Sequence, residues 1–296
     1  MPDIFFSIVI PTYNRAGYIR KTVESLLRQQ YDTAYEIIVV DDGSTDNTED
    51  VLAHIKSDKV FYHKKANAER GAARNYGARL AKGTYINFFD SDDVALPNHL
   101  DEARKAIISL NQPEVVHLGY DIRDPEGRLL RTVDAFPPTI NEALINGNHL
   151  SCNAVFVRRD IAAQWPFSEN RLLSASEDYA LWLKLASRYD IHCWNVVTST
   201  VVNHELRSVL TINLEKFLQR MEILCQELKA DDAFLKKYGS RWNTFRSYRD
   251  IYIALHLAMA RYPKRKSIAY LWHAARLRPQ VVFTRRFVAA LKNVIV

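Results

Sequence analysis

Short apolar runs that end abruptly at polar residues alternate with helix-forming stretches in the N-terminal third of the chain. Continuous apolar runs of this length are typical of strands that are buried on both faces, as in parallel sheets. The predicted strands cover residues 4–10, 35–40, 59–63 and 85–89, and the predicted helices cover residues 16–30, 45–56 and 68–82. This alternation predicts an α/β fold built on a doubly wound, mainly parallel sheet.

Polar residues follow three of these strands. The first strand runs into Pro11 and Thr12, the second into Asp41 and Asp42, and the fourth into the acidic cluster Asp90-Ser91-Asp92-Asp93. Ligands of doubly wound sheets bind outside the carboxyl ends of the strands. We therefore expect these residues to line one crevice.

The acidic cluster suggests a divalent metal. Neighbouring carboxylates repel one another, and Mg²⁺ or Mn²⁺ relieves that repulsion by taking one or two of them as ligands while phosphate oxygens complete its shell. A solvated acidic turn before the next helix is the alternative. For the turn at Asp41 and Asp42 the alternative is a helix cap, and both functions are compatible if Ser44 caps the helix while Asp42 binds a ligand.

Charge divides the chain into two parts. Residues 206–296 contain 18 Lys+Arg and 6 Asp+Glu, whereas residues 1–205 contain 22 and 28. A basic C-terminal region suits an anionic surface such as a bilayer or a phosphorylated lipid, and a solvated charged face is the alternative. Nucleic acid is not the expected partner, because the strand-end acids would repel its phosphates without a metal.

The remaining bulk features concern the compartment. The three cysteines form no C-x-x-C pair, which argues against a disulfide framework and a structural zinc site. The N-terminus lacks the basic region of a secretory signal, and no apolar run reaches the roughly 20 residues that span a bilayer. We expect a cytoplasmic protein, and its basic C-terminal region predicts peripheral association with the inner face of the cell membrane.

Five sequence segments together are similar to a known family. They are Ser7 to Arg15, Ile38 to Asp46, Ala73-Arg74-Asn75-Tyr76-Gly77, Gly83 to Asp93, and Ser176-Glu177-Asp178-Tyr179-Ala180-Leu181-Trp182-Leu183. In order, spacing and position at strand ends they resemble the family-2 inverting glycosyltransferases with the GT-A fold. The resemblance covers residues 4–210. It implies a GT-A catalytic domain over 1–210, with a nucleotide-binding half (1–110) and an acceptor half (111–210), followed by a basic helical region over 211–296.

The resemblance also implies residues that bind the nucleotide-sugar donor. Pro11 and Thr12 are expected at the nucleotide, Asp42 at the base, which would be uracil, and Asp90 at the ribose or the metal. Arg70 is expected near the nucleotide.

Three further residues are implied in catalysis and metal binding. Asp92 would ligate Mn²⁺ or Mg²⁺ directly, and His204 would reach the metal or the diphosphate. Asp178 would be the general base that deprotonates the acceptor hydroxyl. For Asp178 the alternative is an ordinary acid at a helix N-terminus, and for His204 it is a surface histidine.

The implied activity is metal-dependent, inverting transfer of a sugar from a nucleotide-diphosphate donor, expected to be a UDP-sugar. The expected acceptor is a hydroxyl on a lipid-linked or surface-polysaccharide glycan. A nucleotidyltransferase-like enzyme on a similar fold is the main alternative, although a Gly-rich basic loop typical of that class is replaced here by Pro-Thr-Tyr-Asn-Arg. The second alternative is a basic protein that binds nucleic acid or membranes.

Overall fold

The predicted apolar runs form the centre of one sheet. The computed structural model describes residues 6–32, 34–133, 135–204 and 213–295. Its strands are β1 (Phe6–Thr12), β2 (Tyr35–Asp41), β3 (Val60–Lys64), β4 (Tyr85–Phe88), β5 (Val94–Ala95), β6 (Val115–Arg123), β7 (Leu129–Thr132), β8 (Val155–Arg158) and β9 (Ile191–Val202). Every residue of β1, β2 and β4 is buried, as the continuous apolar runs predict.

Helices separate the strands and complete the C-terminal region. They are α1 (Ile19–Leu27), α2 (Thr48–Ala53), α3 (Glu69–Leu80), α4 (His99–Ser109), α5 (Asn141–Leu144), α6 (Arg159–Gln164), α7 (Glu177–Ala186), α8 (Leu214–Lys229), α9 (Asp232–Tyr238), α10 (Trp242–Met259), α11 (Lys264–Leu277) and α12 (Arg285–Ile295). No helix in these described ranges combines the length and apolar character needed to span a membrane.

The strand order places a topological switch beside β1. The sheet runs β3-β2-β1-β4-β8-β6-β9-β5, and β7 pairs with β6. β3, β2, β1 and β4 are mutually parallel, whereas β8 is antiparallel to both of its neighbours. The chain therefore moves outward from β1 to β3 and returns on the other side of β1, which is where open α/β sheets bind ligands. The predicted fold class is confirmed: β1 to β4 form a parallel group in the N-terminal half, and β6 and β9 form a further parallel pair.

Close packing of α3 on the sheet brings polar residues of this helix to the carboxyl ends of the strands. Gly77 makes this approach feasible, because a Cβ atom there would lie 2.4 Å from Cγ1 of Val9 in β1. Arg74, one turn earlier in α3, is thereby buried at the carboxyl ends of the strands.

The second half of the sheet contains a hairpin. β6 and β7 pair antiparallel, and the turn between them includes Gly127 at a positive φ of 89°. β6 also pairs in parallel with the long strand β9, whose carboxyl end carries His204 two residues beyond Val202.

The C-terminal helices contribute to more than one hydrophobic core. Leu224 and Leu228 of α8 and Phe234 of α9 share a core with the sheet. Leu271 of α11 and Val294 of α12 instead pack on the second half of α10. The helical character of this region is confirmed. The boundary predicted at residue 210 falls within residues 205–212, which lie outside the described ranges, and it stays a prediction.

Candidate active site

A cavity of about 730 Å³ lies at the carboxyl ends of β1, β2 and β4. Six of the eight residues proposed from the sequence line it, namely Pro11, Thr12, Asp42, Arg70, Asp90 and Asp92. The other two, Asp178 and His204, are not among its lining residues. His204 lies within hydrogen-bonding distance of the lining residue Asp92, and Asp178 directly follows Glu177, which accepts a hydrogen bond from the lining residue Arg74.

The turn after β1 is fixed by Asn14, which adopts a positive φ of 51°. Its Oδ1 accepts a hydrogen bond from the Thr45 backbone N–H at 2.8 Å, and its own N–H donates to Ser44 Oγ at 2.9 Å. The alternative reading of this turn, a helix cap at Ser44, does not apply, because α2 starts at Thr48, whose N–H donates to Asp46 Oδ1 at 3.1 Å. Ser44 instead joins the two strand-end turns.

Asp41 and Asp42 have different environments. Asp41 accepts hydrogen bonds from the Ser44 N–H and the Tyr62 hydroxyl, both at 2.7 Å, which uses both of its carboxylate oxygens for the fold. Asp42 accepts from Lys65 Nζ at 2.5 Å and from the Ala68 N–H at 2.9 Å through Oδ1. No hydrogen bond to Asp42 Oδ2 occurs within the described ranges, so this oxygen is open to a ligand.

The acidic cluster after β4 divides in the same way. Asp93 is buried, and its two oxygens accept from Asn153 Nδ2 at 2.6 Å and from the Val202 N–H at 2.7 Å. Asn153 Oδ1 in turn accepts from the Asp90 N–H at 2.7 Å. Asp93 and Asn153 therefore fix the loop, and Asp90 and Asp92 remain at the cavity wall.

His204 lies against Asp92. Its Nε2 is 3.0 Å from Asp92 Oδ2, and its ring stacks on Tyr18 with centroids 4.5 Å apart. Arg15 Nε approaches the same Asp92 oxygen at 3.5 Å. His204 is buried, and its Nδ1 has no hydrogen-bond partner within the described part of the chain.

The donor set around Asp92 has the chemistry of a divalent metal site. Carboxylate oxygen and imidazole nitrogen both ligate Mn²⁺, and phosphate oxygens complete such shells. Among the described residues there is no group of three or more His, Cys, Asp and Glu side chains arranged to hold an ion. Asp92 and His204 therefore fit a metal that shares its shell with a bound diphosphate, and they do not form a complete protein cage.

Arg74 joins the donor side of the cavity to α7. Its buried guanidinium donates to Asp90 Oδ1 at 2.7 Å and to Glu177 Oε1 at 2.6 Å. Arg70, one turn earlier, lies 3.9 Å from the same Glu177 oxygen. Arg74 and Glu177 had no predicted role, although both belong to segments that carry the family resemblance.

Asp178 follows Glu177 in the first turn of α7. Its Oδ1 accepts from the Tyr179 N–H at 2.7 Å, and its Oδ2 accepts from Asn148 Nδ2 at 3.0 Å. Burial, and then the adjacent Glu177 charge, raise the pKa of Asp178 to about 6, although Arg74 acts in the opposite direction. A carboxyl group with this pKa is suited to exchange protons near neutral pH.

Comparison with known proteins identifies the family. The sequence profile described as glycosyl transferase family 2 matches residues 7–163, and the chain belongs to this family. A beta-1,3-glucosyltransferase of Escherichia coli, named as using UDP-Glc and alpha-D-GlcNAc-diphosphoundecaprenol, is 35% identical over 188 residues, covering 62% of this chain and 70% of that protein. An uncharacterized glycosyltransferase of Rickettsia felis is 34% identical over 196 residues, covering 63% of this chain. That alignment covers 32% of the relative, so this chain spans about a third of its length.

Solved structures show the same fold. S. aureus TarS 1-349 in complex with UDP-GlcNAc superposes with a TM-score of 0.63 at 19% identity, covering 94% of this chain and 92% of that one. The mannosyltransferase PcManGT of Pyrobaculum calidifontis, in complex with GDP-Man and Mn²⁺, gives 0.57 at 15% identity, covering 98% and 86%. The GT-A fold predicted from the sequence is confirmed.

The contrast between Asp93 and Asp92 generates a test. Asp93→Asn places an amide NH₂ against Asn153 Nδ2 in a buried position, so we expect a loss of roughly 2–4 kcal/mol in the free energy of unfolding. Asp92→Asn keeps an oxygen that accepts from His204, so we expect a change of less than about 1 kcal/mol. Urea denaturation of both variants measures the difference, and equal destabilisation would contradict the structural role given to Asp93.

Proposed function

We propose that this chain catalyses inverting transfer of a sugar from a nucleotide-diphosphate donor, a UDP-sugar, to a hydroxyl of a lipid-linked or surface-polysaccharide glycan. The observation that carries the proposal is the shared cavity of Asp42, Asp90 and Asp92 at the switch point of the sheet. Packing gives no reason for three carboxylates to converge there, whereas a nucleotide, a metal and a sugar do.

The nucleotide base is assigned to Asp42. Lys65 and the Ala68 N–H hold one of its oxygens, and the other is free to accept from a uracil N–H. Thr12 supports this placement, because its Oγ1 is buried without a hydrogen-bond partner in the described ranges. The names of the Escherichia coli relative and the TarS complex, which mention UDP-Glc and UDP-GlcNAc, also favour a uridine nucleotide.

The diphosphate is assigned to the opposite side of the cavity, beside Asp92 and His204. These two residues would hold Mn²⁺ or Mg²⁺, and the Mn²⁺ complex of PcManGT supports this choice of cofactor. A bound divalent ion would supply positive charge that stabilises the departing diphosphate. Arg15, Arg70 and Lys216 also line the cavity and would add cationic contacts to the phosphates.

The acceptor hydroxyl is assigned to Asp178. As the hydroxyl oxygen bonds to the anomeric carbon, its proton passes to Asp178, and the electron pair of the broken carbon–oxygen bond leaves with the nucleoside diphosphate. A single displacement of this kind inverts the anomeric carbon. Arg74 contributes by holding Asp90 and Glu177, which keeps the donor side and the acceptor side at a fixed separation.

The acceptor class is inferred from the C-terminal region and from a relative. Large apolar side chains are exposed on α11 and α12, including Trp272 at 62% and Val288 at 55%. Basic residues such as Arg276 and Lys292 accompany them, which is the composition of a surface that binds anionic lipids at the bilayer interface. The diphosphoundecaprenol acceptor in the name of the Escherichia coli relative supports a lipid-linked substrate. The enzyme would therefore work at the cytoplasmic face of the membrane.

The role of Asp178 predicts both a mutational and a pH effect. Because the pKa of Asp178 is raised to about 6, the carboxylate is available above that pH, and the transfer rate should fall as pH drops through 6. Asp178→Asn should lower the transfer rate by roughly 10²–10⁴-fold at pH 7.5 while the Kd for the donor stays unchanged. Asp190→Asn, at an exposed site beyond the same helix, is the control. Normal transfer by Asp178→Asn would disprove the assignment.

The surface of α11 and α12 predicts binding to lipid vesicles. The chain should float with phosphatidylglycerol vesicles at low salt, should be released as salt increases, and should not bind phosphatidylcholine vesicles. Ile268→Ser combined with Trp272→Ser should weaken flotation, because both side chains are exposed on α11. Leu172→Ser, an exposed leucine outside the C-terminal helices, serves as the matched control. Absence of binding to anionic vesicles at low salt would refute the membrane proposal.

A further inference from the structure

The loop of residues 145–151 lies between Asp178 and the C-terminal helix α12. It follows α5 and is anchored by the Tyr179 hydroxyl, which donates to the Leu144 carbonyl at 2.6 Å, and by the Tyr120 hydroxyl, which donates to the His149 carbonyl at 3.1 Å. Both Ile145 and Leu150 are buried. The loop is thus attached to the core at its two ends; in its middle part Asn148 is exposed, whereas Asn146 and His149 are half-buried.

Asn148 connects this loop to the candidate base. Its Nδ2 donates to Asp178 Oδ2 at 3.0 Å, and its Oδ1 accepts from the Leu150 N–H at 3.2 Å. The second contact fixes which end of the amide faces Asp178. Together with the Tyr179 N–H on Oδ1, Asn148 therefore determines how the Asp178 carboxylate is oriented.

Arg286, at the start of α12, holds the same loop from its other side. Its guanidinium donates to the Asn146 carbonyl, and its Nη2 lies 3.2 Å from Nε2 of His149. Burial, and then the Arg286 charge, lower the pKa of His149 to about 4, so the imidazole is neutral and able to accept. Gly147 leaves room for this contact, because a Cβ there would lie 2.3 Å from Arg286 Nη1.

We propose that Asn148 and Arg286 are positioning residues for transfer: Arg286 holds the 145–151 loop, and through Asn148 this loop orients the Asp178 carboxylate toward the acceptor hydroxyl. This inference rests on the proposed role of Asp178 as the base. It assigns to the C-terminal helix a function in the chemistry that is separate from any contact with a membrane.

The hydrogen bond from Asn148 has a measurable electrostatic consequence. A donor to an ionised carboxylate favours the charged form, so its removal should raise the pKa of Asp178 further. The other titratable or charged groups that influence Asp178 lie on α3, β4 and its following loop, the segment before β8, α7, α8 and α10: Arg74, Asp90, Cys152, Glu177, Arg220 and Tyr252. All of them remain in an Asn148 variant, so the change in pKa is attributable to the lost amide.

The test measures the pH dependence of sugar transfer by full-length Asn148→Ala, with donor Kd measured alongside. Loss of a hydrogen bond to a charged group corresponds to about one pKa unit, so the acid limb should move up by about one pH unit. Transfer should therefore fall about 5-fold at the wild-type midpoint, approach a loss of about 10-fold at lower pH and recover at high pH, with donor affinity unchanged. Loss of activity by the same factor at every pH, or an unshifted profile, would overturn the proposal.

The second variant tests the contact from α12. Arg286→Ala should shift the acid limb in the same direction and raise the KM for acceptor by about 3-fold, and Arg286→Lys should restore part of the loss because it keeps one donor. Arg285→Ala is the matched control, since it removes the same charge from an adjacent, exposed position. If Arg286→Ala fails to fold, the pH profile of Asn148→Ala alone decides whether the loop orients the Asp178 carboxylate.

The outcomes separate this inference from the proposed function. Normal transfer by Asp178→Asn would remove the base assignment and the positioning proposal together. An inactive Asp178→Asn combined with a wild-type pH profile for Asn148→Ala would leave the base assignment in place and disprove only the positioning role.

Discussion

The ion pairs of Arg74 are the interaction on which the site depends. Its guanidinium is almost fully buried and joins Asp90, after β4, to Glu177 at the start of α7. Breaking a buried pair leaves an uncompensated charge, which typically costs about 3–5 kcal/mol. Without this cation, Asp90, Glu177 and Asp178 would repel one another in a poorly solvated region. Arg74 therefore allows acidic residues on the donor and acceptor sides to share one site.

The remaining structure brings Arg74 and its partners to that position. Parallel pairing of β1 with β2 and β4 aligns the ends of the strands. The absence of a side chain at Gly77 lets α3 lie close to β1. Asp93 and Asn153 fix the acidic loop to β9 and to the segment before β8. The sugar donor and the sugar acceptor do not have to organise the site when they bind, because the protein already holds these side chains in place.

The sequence predicted elements and strand ends better than individual contacts. Continuous apolar runs identified the buried strands β1, β2 and β4, and the rule for carboxyl ends brought Asp42, Asp90 and Asp92 into one cavity. It could not separate Asp92 from Asp93 or Asp42 from Asp41, since neighbouring carboxylates differ only in the partners that the fold supplies. Arg74 with Glu177, and Asn148 with Asp178, depend on packing between segments distant in sequence. No local periodicity encodes such contacts.

Binding of UDP tests the central claim, that carboxylates from separate strand ends form one nucleoside-diphosphate site, most directly. Titration calorimetry with wild-type protein should show UDP binding that Mn²⁺ strengthens. Asp42→Asn should weaken it about 10-fold with or without Mn²⁺, which is the effect of about 1.4 kcal/mol, whereas Asp92→Asn should remove the strengthening by Mn²⁺. UDP affinity that is unchanged by both substitutions, or the absence of UDP binding to the wild-type protein, would contradict this account.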